Sequence, residues 1–296
     1  STSTSTSGVK PFSFVFEEIP DHNYDVIIAS HWHVVELLRK EFPRTPIIST
    51  IHGIIHFQDG RDGQEKAPEH PALESGVNQF IAVSEEVQDM IKKEYGLDSI
   101  VIRNFIDTKR FCPHRKLPKE PGQFLLNSNY SLNKDPEVEL IRTVSKHYGA
   151  KLTALGQNFV QSFEIEKAIE DADIVVGMGR SVLEGVAAGR LGIVHGRWGT
   201  AGVLHEGNVT AMRERNFSGR NSKGKIMTPE ELIAEIDQFY NEKNFEWGRN
   251  YILREHNAEI AAERFVSLAR DLTGQNIKRE ADPQLRPYKR QKDVKN

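Results

Sequence analysis

The chain has 296 residues, and at about 150 residues per domain that length suggests two domains. With 39 lysines and arginines against 42 aspartates and glutamates, the net charge of −3 excludes a histone-like nucleic-acid binder and an acidic solvating tail protein. The 38% hydrophobic share allows buried cores, no run nears the roughly 18 apolar residues of a membrane span, no secretory pattern opens the chain, and the single Cys112 cannot form an internal disulfide, so a soluble protein of the cytoplasm is expected.

Residues 1–10, STSTSTSGVK, read as a disordered terminus or added linker. Candidate strands then fall at 12–16, 25–30, 46–50, 79–84 and 99–103, with helices at 33–42 and 85–95. Ser84 stands where an N-cap for the second helix belongs. A break at 112–122, CPHRKLPKEPG, has three prolines, basic residues and no apolar period, as interdomain linkers do. Beyond it come strands at 124–127, 152–155, 174–177, 191–195 and 209–211, with helices at 136–148 and 163–170. Asp135-Pro136 and Thr228-Pro229-Glu230-Glu231 mark helix starts, the latter with the spacing of a capping box. The tail, 274–296, carries seven basic and three acidic residues, leaving −7 on the rest. Such a tail is a solvated end or an arm for an anionic membrane or partner.

The strands are nearly continuous runs of Ile, Val and Phe, as in parallel strands buried on both faces. Strand–helix alternation implies right-handed βαβ units, hence an α/β fold with doubly wound parallel sheets. The expected units are 11–111 and 123–273, the first of about 100 residues and short for a full doubly wound domain.

Sheets of this kind bind ligands at the carboxyl ends of their strands. The stretch from Ile174 to Val194 is the richest there. A strand runs into Gly177-Met178-Gly179 and then a helix opening with Arg180, Ser181 and Val182. Glycines let backbone amides approach a ligand, and a helix N-terminus carries about half a positive charge. The pair suits a diphosphate, and Arg180 can add a two-pronged clamp on its oxygens. Glu184 has two readings: a carboxylate for a ribose diol, or the end of a capping box opened by Ser181. The complete dinucleotide fingerprint G-x-G-x-x-G is absent. Six of the eleven histidines lie in the first 70 residues. His31-x-His33 and His52-x-x-x-His56 have ligand-like spacing, but glycine after a strand argues against the helix that i,i+4 ligation needs, so no metal site is expected. His52 stands at a strand's carboxyl end and is the histidine best placed for chemistry. Cys112 has no activating neighbour in sequence.

Several stretches, in order, resemble the GT-B glycosyltransferases, closest to the retaining family-4 enzymes that use nucleotide sugars. They are YDVIIASHWH, STIHGIIH, FIAVSEEVQDMI, VIRNFIDTKRFCP, ADIVVGMGRSVLEGVAAGRLGIV and, loosely, GTAGVLHEGNVT, spanning roughly 24–273. The resemblance implies two Rossmann-like domains facing a cleft, the N-terminal one reduced. It implies transfer of a sugar from a nucleotide-diphosphate donor to a glycan, lipid or small acceptor, as in polysaccharide biosynthesis, with neither metal nor cofactor. On it, His52 takes the active-site histidine's place, Lys134 and Arg180 meet the diphosphate, and Glu184 grips the ribose. Gly177, Gly179, Ser181, Val182, Asn129 and Gly156 line the donor, and backbone near 156–159 reads the base. The pattern also departs from the family. The first of its two acidic residues falls on Val176, its diphosphate arginine falls on Asn129, and no glycine-rich acceptor loop follows 12–16. These departures keep open a nucleotide-sugar epimerase, a non-catalytic nucleotide-sugar-binding subunit and, from the histidines, a metal-dependent hydrolase. No nucleic-acid partner is implied, and homo-oligomerisation stays open.

Overall fold

The structure is a computed structural model describing residues 24–30, 32–53, 76–129, 131, 135–159, 164–196 and 198–274. The expected strand at 12–16 and most of the basic tail lie outside the described residues.

The first sheet is built from β1 (Ile27–Ala29), β2 (Ile47–Ile51), β3 (Gln79–Ala82) and β4 (Ser99–Val101), all parallel and side by side in chain order. Helix α1 (Trp32–Glu41) follows β1, and α2 (Glu85–Tyr95) joins β3 to β4. Ser84 caps α2 as its position suggests, its Oγ accepting the Val87 amide at 3.4 Å. Gly96 ends the helix at φ +68°, a left-handed geometry that glycine adopts without Cβ strain.

The second sheet runs β6-β5-β7-β8-β9, from β5 (Gln123–Asn127), β6 (Lys151–Leu155), β7 (Ile174–Gly177), β8 (Leu191–Gly196) and β9 (Gly199–Val203). Alternation along the central strands sends Leu125, Val175 and Val194 to one face, and Phe124, Leu126, Val176 and Ile193 to the other. On the first face lie α4 (Ile165–Asp171), α5 (Arg180–Ala187) and α8 (Glu242–Glu255); on the second lie α3 (Pro136–His147) and α7 (Pro229–Phe239). Each aliphatic side chain fully buried there stabilises the fold by about 1.5–3 kcal/mol. Val176 belongs to this core and is fully buried, so it offers nothing to a sugar hydroxyl. Thr228 forms both halves of the capping box on α7, accepting from Glu231 N at 3.2 Å while Glu231 accepts from Thr228 N at 2.9 Å.

Two elements depart from the sequence reading. The expected strand at 209–211 is part of helix α6 (Val209–Glu214): Val209 and Met212, three apart, share one buried face, and Asn208 ties the preceding turn to His205 and Val203. The edge strand β9, antiparallel to β8, has no apolar run to announce it. Its Gly202 sits at φ +87°, where a Cβ would lie 2.2 Å from a Glu235 oxygen; the bare backbone lets Glu235 accept the Val203 amide at 2.7 Å.

Residues 258–273 fall within the expected second unit, yet they form a last helix, α9 (Ala258–Thr273), that packs on the first. Ala261, Phe265, Leu268 and Leu272 cover Ile48, Ile81 and Ile102. The crossing is stitched where Ile106 donates to His256 O at 2.7 Å and accepts from Ala258 N at 3.0 Å. The stretch 112–122 is irregular but anchored: Arg115 donates to Glu170 O, Asp171 O, Ala172 O and the Asp173 carboxylate. Among the described residues no helix is long and apolar enough to cross a membrane.

Candidate functional site

In the second sheet the chain leaves β5 for β6 on one side and returns to β7 on the other. Such a reversal opens a crevice at the carboxyl ends of the two central strands, where open α/β sheets take ligands. Asn127 and Gly177 pair across that point. A Cβ on Gly177 would lie 2.9 Å from Asn127 O and 3.0 Å from Ser181 Cβ, so only glycine lets the turn come this close to β5. Gly179 caps α5 at φ +54° and ψ −126°, a backbone that L side chains rarely adopt.

Two of the turn's amides are already engaged. Gly179 N–H donates to Phe217 O at 2.9 Å and Ser181 N–H to Met178 O at 3.2 Å. The amides of Arg180 and Val182 have no backbone acceptor among the described residues, as is usual in a first helical turn. Of the three amides at 180–182, Ser181 N–H is thus taken and those of Arg180 and Val182 remain.

Glu184 lies one turn along α5, and the capping-box reading fails. The N-cap is Gly179, Ser181 is already inside the helix, and Glu184 Oε1 accepts from Arg180 at 3.2 Å. The Glu184 side chain is only 12% exposed, whereas Arg180 is 61% exposed. Burial raises the Glu184 pKa above the usual carboxylate range, against the opposing pull of Arg180 and Arg110. Arg110 itself pairs with Glu166 of α4.

Beside this turn, the loops after β5 and β6 form one floor. Gly156 has φ +138°, and a Cβ there would sit 1.9 Å from Ser128 O. Asn129 faces solvent but its Oδ1 accepts the Gln157 amide at 3.1 Å, binding one loop to the other. Ser128 and Ser131 hydroxyls meet at 2.9 Å, and Asn158 Nδ2 donates to Ser131 O at 3.3 Å. The structure thus gathers Gly156, Asn129, Gly177, Gly179, Arg180, Ser181, Val182 and Glu184 around one strand edge. Lys134 lies outside the described residues. His52 is exposed directly after β2, so it belongs to the carboxyl edge of the other sheet. His31 and His56 lie outside the described residues, and among those described no cluster of three or more His, Cys, Asp or Glu could hold a metal. Two histidines are buried and structural: His195 bonds Thr200 and Glu137 O, His256 bonds Asn104 O, and burial lowers each to about 4.

Sequence reasoning missed the groups that join the two units near this edge. Glu86 of α2 takes Arg215 at 2.6 Å and also Arg220, and Asn104 donates to Asn216 Oδ1 at 2.8 Å. These partners are over a hundred positions apart and share no motif, so nothing in the sequence pairs them.

Comparison with known proteins then bears on the whole arrangement. Residues 8–110 match the model of Glycosyltransferase Family 4. Three solved structures share the fold. A chain of the GtfA/B complex matches with TM-score 0.50 and 10% identity over 81% of this chain. A protein assigned as a UDP-N-acetylglucosamine 2-epimerase from Listeria monocytogenes matches with TM-score 0.51, at 8% identity over 85% of this chain and 76% of its own. A chain of accessory secretory protein 1, 2 and 3 from Streptococcus pneumoniae gives TM-score 0.52, at 12% identity over 84% of this chain. This is a GT-B fold. The family match begins at residue 8, upstream of the stretch at 24 where the sequence motifs start. The GT-B chain spans about half the length of two of these relatives, 55% of the GtfA/B chain and 54% of the accessory secretory chain. No curated protein sequence matches it.

Proposed function

We propose that this GT-B protein is a glycosyltransferase that binds a nucleoside-diphosphate sugar at the 177–184 turn and passes the sugar to a glycan, lipid or small acceptor. One observation carries the reading: a glycine turn and helix N-terminus at the topological switch point, with a sheltered carboxylate one turn along the helix. The free amides of Arg180 and Val182 and the Arg180 guanidinium suit the diphosphate. Charge grows on that leaving group as the glycosidic bond breaks, so donors fixed there stabilise the transition state more than the ground state. Glu184 suits the ribose diol, accepting two hydrogen bonds while Arg180 turns to phosphate. Their ion pair at 3.2 Å keeps the two groups side by side. Backbone at 156–159 fits the base, Lys134 supports the phosphates, and His52, from the opposing sheet, orients the transferred sugar. The mechanism on this reading is metal-independent and retaining, with positioning and electrostatics supplying the rate.

A second reading, a non-catalytic nucleotide-sugar-binding subunit, draws on Asn129 and the buried Val176 where the family has charged groups. An epimerase is a third, since one structural relative is assigned that activity. Thermal melting with UDP, GDP, ADP and dTDP, followed by acceptor-free hydrolysis of the matching nucleotide sugars, separates these. Stabilisation by one diphosphate with slow release of free sugar supports transfer. Stabilisation with no turnover supports the subunit, conversion of the sugar without release supports the epimerase, and no stabilisation by any diphosphate overturns all three.

A further inference from the structure

The phosphate-binding turn does not stand alone, because its cap hangs from a neighbouring loop. Gly179 N–H donates to the carbonyl of Phe217, and the Asn216 carbonyl lies 3.7 Å from where a Gly179 Cβ would be. That loop is strained. Asn216 at φ +53° and Phe217 at φ +51° are consecutive non-glycine residues in left-handed backbone, a conformation that persists only where surroundings hold it. Its own unit holds it through Asn216 N–H to Arg213 O at 2.9 Å, Phe217 N–H to Met212 O at 2.8 Å and the buried Phe217 ring, and the other unit adds a charged anchor. Glu86, on the first turn of α2, receives the guanidinium of Arg220 through both Nε and Nη2, and Arg215 Nη1 at 2.6 Å. The Glu86 and Arg220 side chains are only 10% and 14% exposed, so the pair is sheltered from solvent screening. The two arginines bracket Asn216 and Phe217 in the chain. Asn104 adds a bond to Asn216 Oδ1, and His256, bonded to Asn104 O at 2.6 Å, sets its ring edge-on to Phe217.

We propose that Glu86 is a positioning residue for the phosphate-binding turn. It acts from the first unit, through Arg215 and Arg220, to keep Phe217 O beneath Gly179. The inference rests on the reading that 177–184 takes a diphosphate. Losing the Glu86 charge leaves two cations without their shared anion and lets the strained pair relax. The Phe217 carbonyl then shifts, and the amides of Arg180 and Val182 lose their fixed direction. A ligand without phosphates is indifferent to that change.

Calorimetric titration of the full chain with the diphosphate that stabilises it, and with the parent nucleoside, tests this on wild type, Glu86→Gln and Glu86→Asp. Glu86→Gln is expected to weaken the diphosphate about tenfold while the nucleoside changes less than twofold, and Glu86→Asp is expected to recover most of the loss. If Glu86→Gln does not fold, Arg215→Gln removes only the more exposed arm and is expected to cost the diphosphate about threefold. A lowered melting temperature with unchanged diphosphate affinity overturns the inference and leaves Glu86 a structural ion-pair partner. Equal weakening of diphosphate and nucleoside also overturns it. Failure of the wild type to bind any diphosphate removes the underlying functional reading instead.

Discussion

Replacing Glu184 by glutamine separates a ligand group from a structural one. The carboxylate is nearly enclosed, and its pKa is raised chiefly by burial. A carboxyl whose folded pKa exceeds its unfolded one favours the fold at acid pH, and that contribution is lost as pH rises through the folded pKa. At pH 7, above the ordinary carboxylate range, burial of Glu184 therefore weighs against the fold. Its partner Arg180 is largely exposed, and such a pair returns little, about 0–1 kcal/mol. Glu184→Gln is thus expected to leave the melting temperature at pH 7 unchanged or slightly higher, by no more than about 2–4 °C for 1 kcal/mol. The difference closes as the buffer is taken below the ordinary carboxylate range. Binding responds in the opposite sense. Hydrogen bonds to a charged group are each worth about 1.5–3 kcal/mol, so losing one to the ribose weakens a nucleoside diphosphate about tenfold to a hundredfold. Pyrophosphate has no ribose and should bind both proteins alike. Calorimetry with the two ligands and melting curves from pH 4 to 8 give both halves. A clear fall in melting temperature at pH 7 with unchanged nucleotide affinity would refute the reasoning and make Glu184 a helix-stabilising residue.

Further outcomes follow from single positions. Gly156→Ala drives a Cβ to within 1.9 Å of Ser128 O at φ +138°; it should destabilise by about 3 kcal/mol or more, seen as a melting loss of roughly 6–12 °C, and weaken donor binding by parting the two loops. A melting curve like the wild type's would show that the loops do not meet as described. Arg190 precedes β8 with its side chain buried, none of its three guanidinium nitrogens bonded among the described residues, and its pKa lowered by that burial. Arg190→Met, of similar length and apolar, should raise stability by about 1–4 kcal/mol in denaturant titration. A loss instead would mean that the guanidinium has an acceptor.

The parallel strands were legible because burial on both faces writes an unbroken apolar run; β7, from Ile174 to Gly177, stands where the residues put it. Helix starts were legible where a cap has a local signature, as at Ser84 and Thr228. Legibility failed where the determinant is tertiary. The β9 strand carries Gly202 because Glu235 must reach Val203 N, a need set by α7 and invisible in the strand itself. Val209 and Ala211 look like strand residues, but a helix is what buries Val209 and Met212 on one side. Helix α9 follows the second unit in sequence yet covers Ile48 and Ile81 of the first, a pairing fixed by the crossing at Ile106 and His256. The candidate site shows the same division. Its glycine turn, Arg180 and Glu184 lie within eight residues and could be read together. Glu86, Arg215 and Asn216 come from two units and could not.

Hydrogen exchange with and without the stabilising nucleoside diphosphate tests the central claim most directly. The claim predicts slowed exchange at the amides of Arg180 and Val182 and in the 156–159 loop, with little change in α3 and α7 on the far face of the sheet. Protection confined to the first sheet, or absent from the 177–184 turn at saturating ligand, would contradict it.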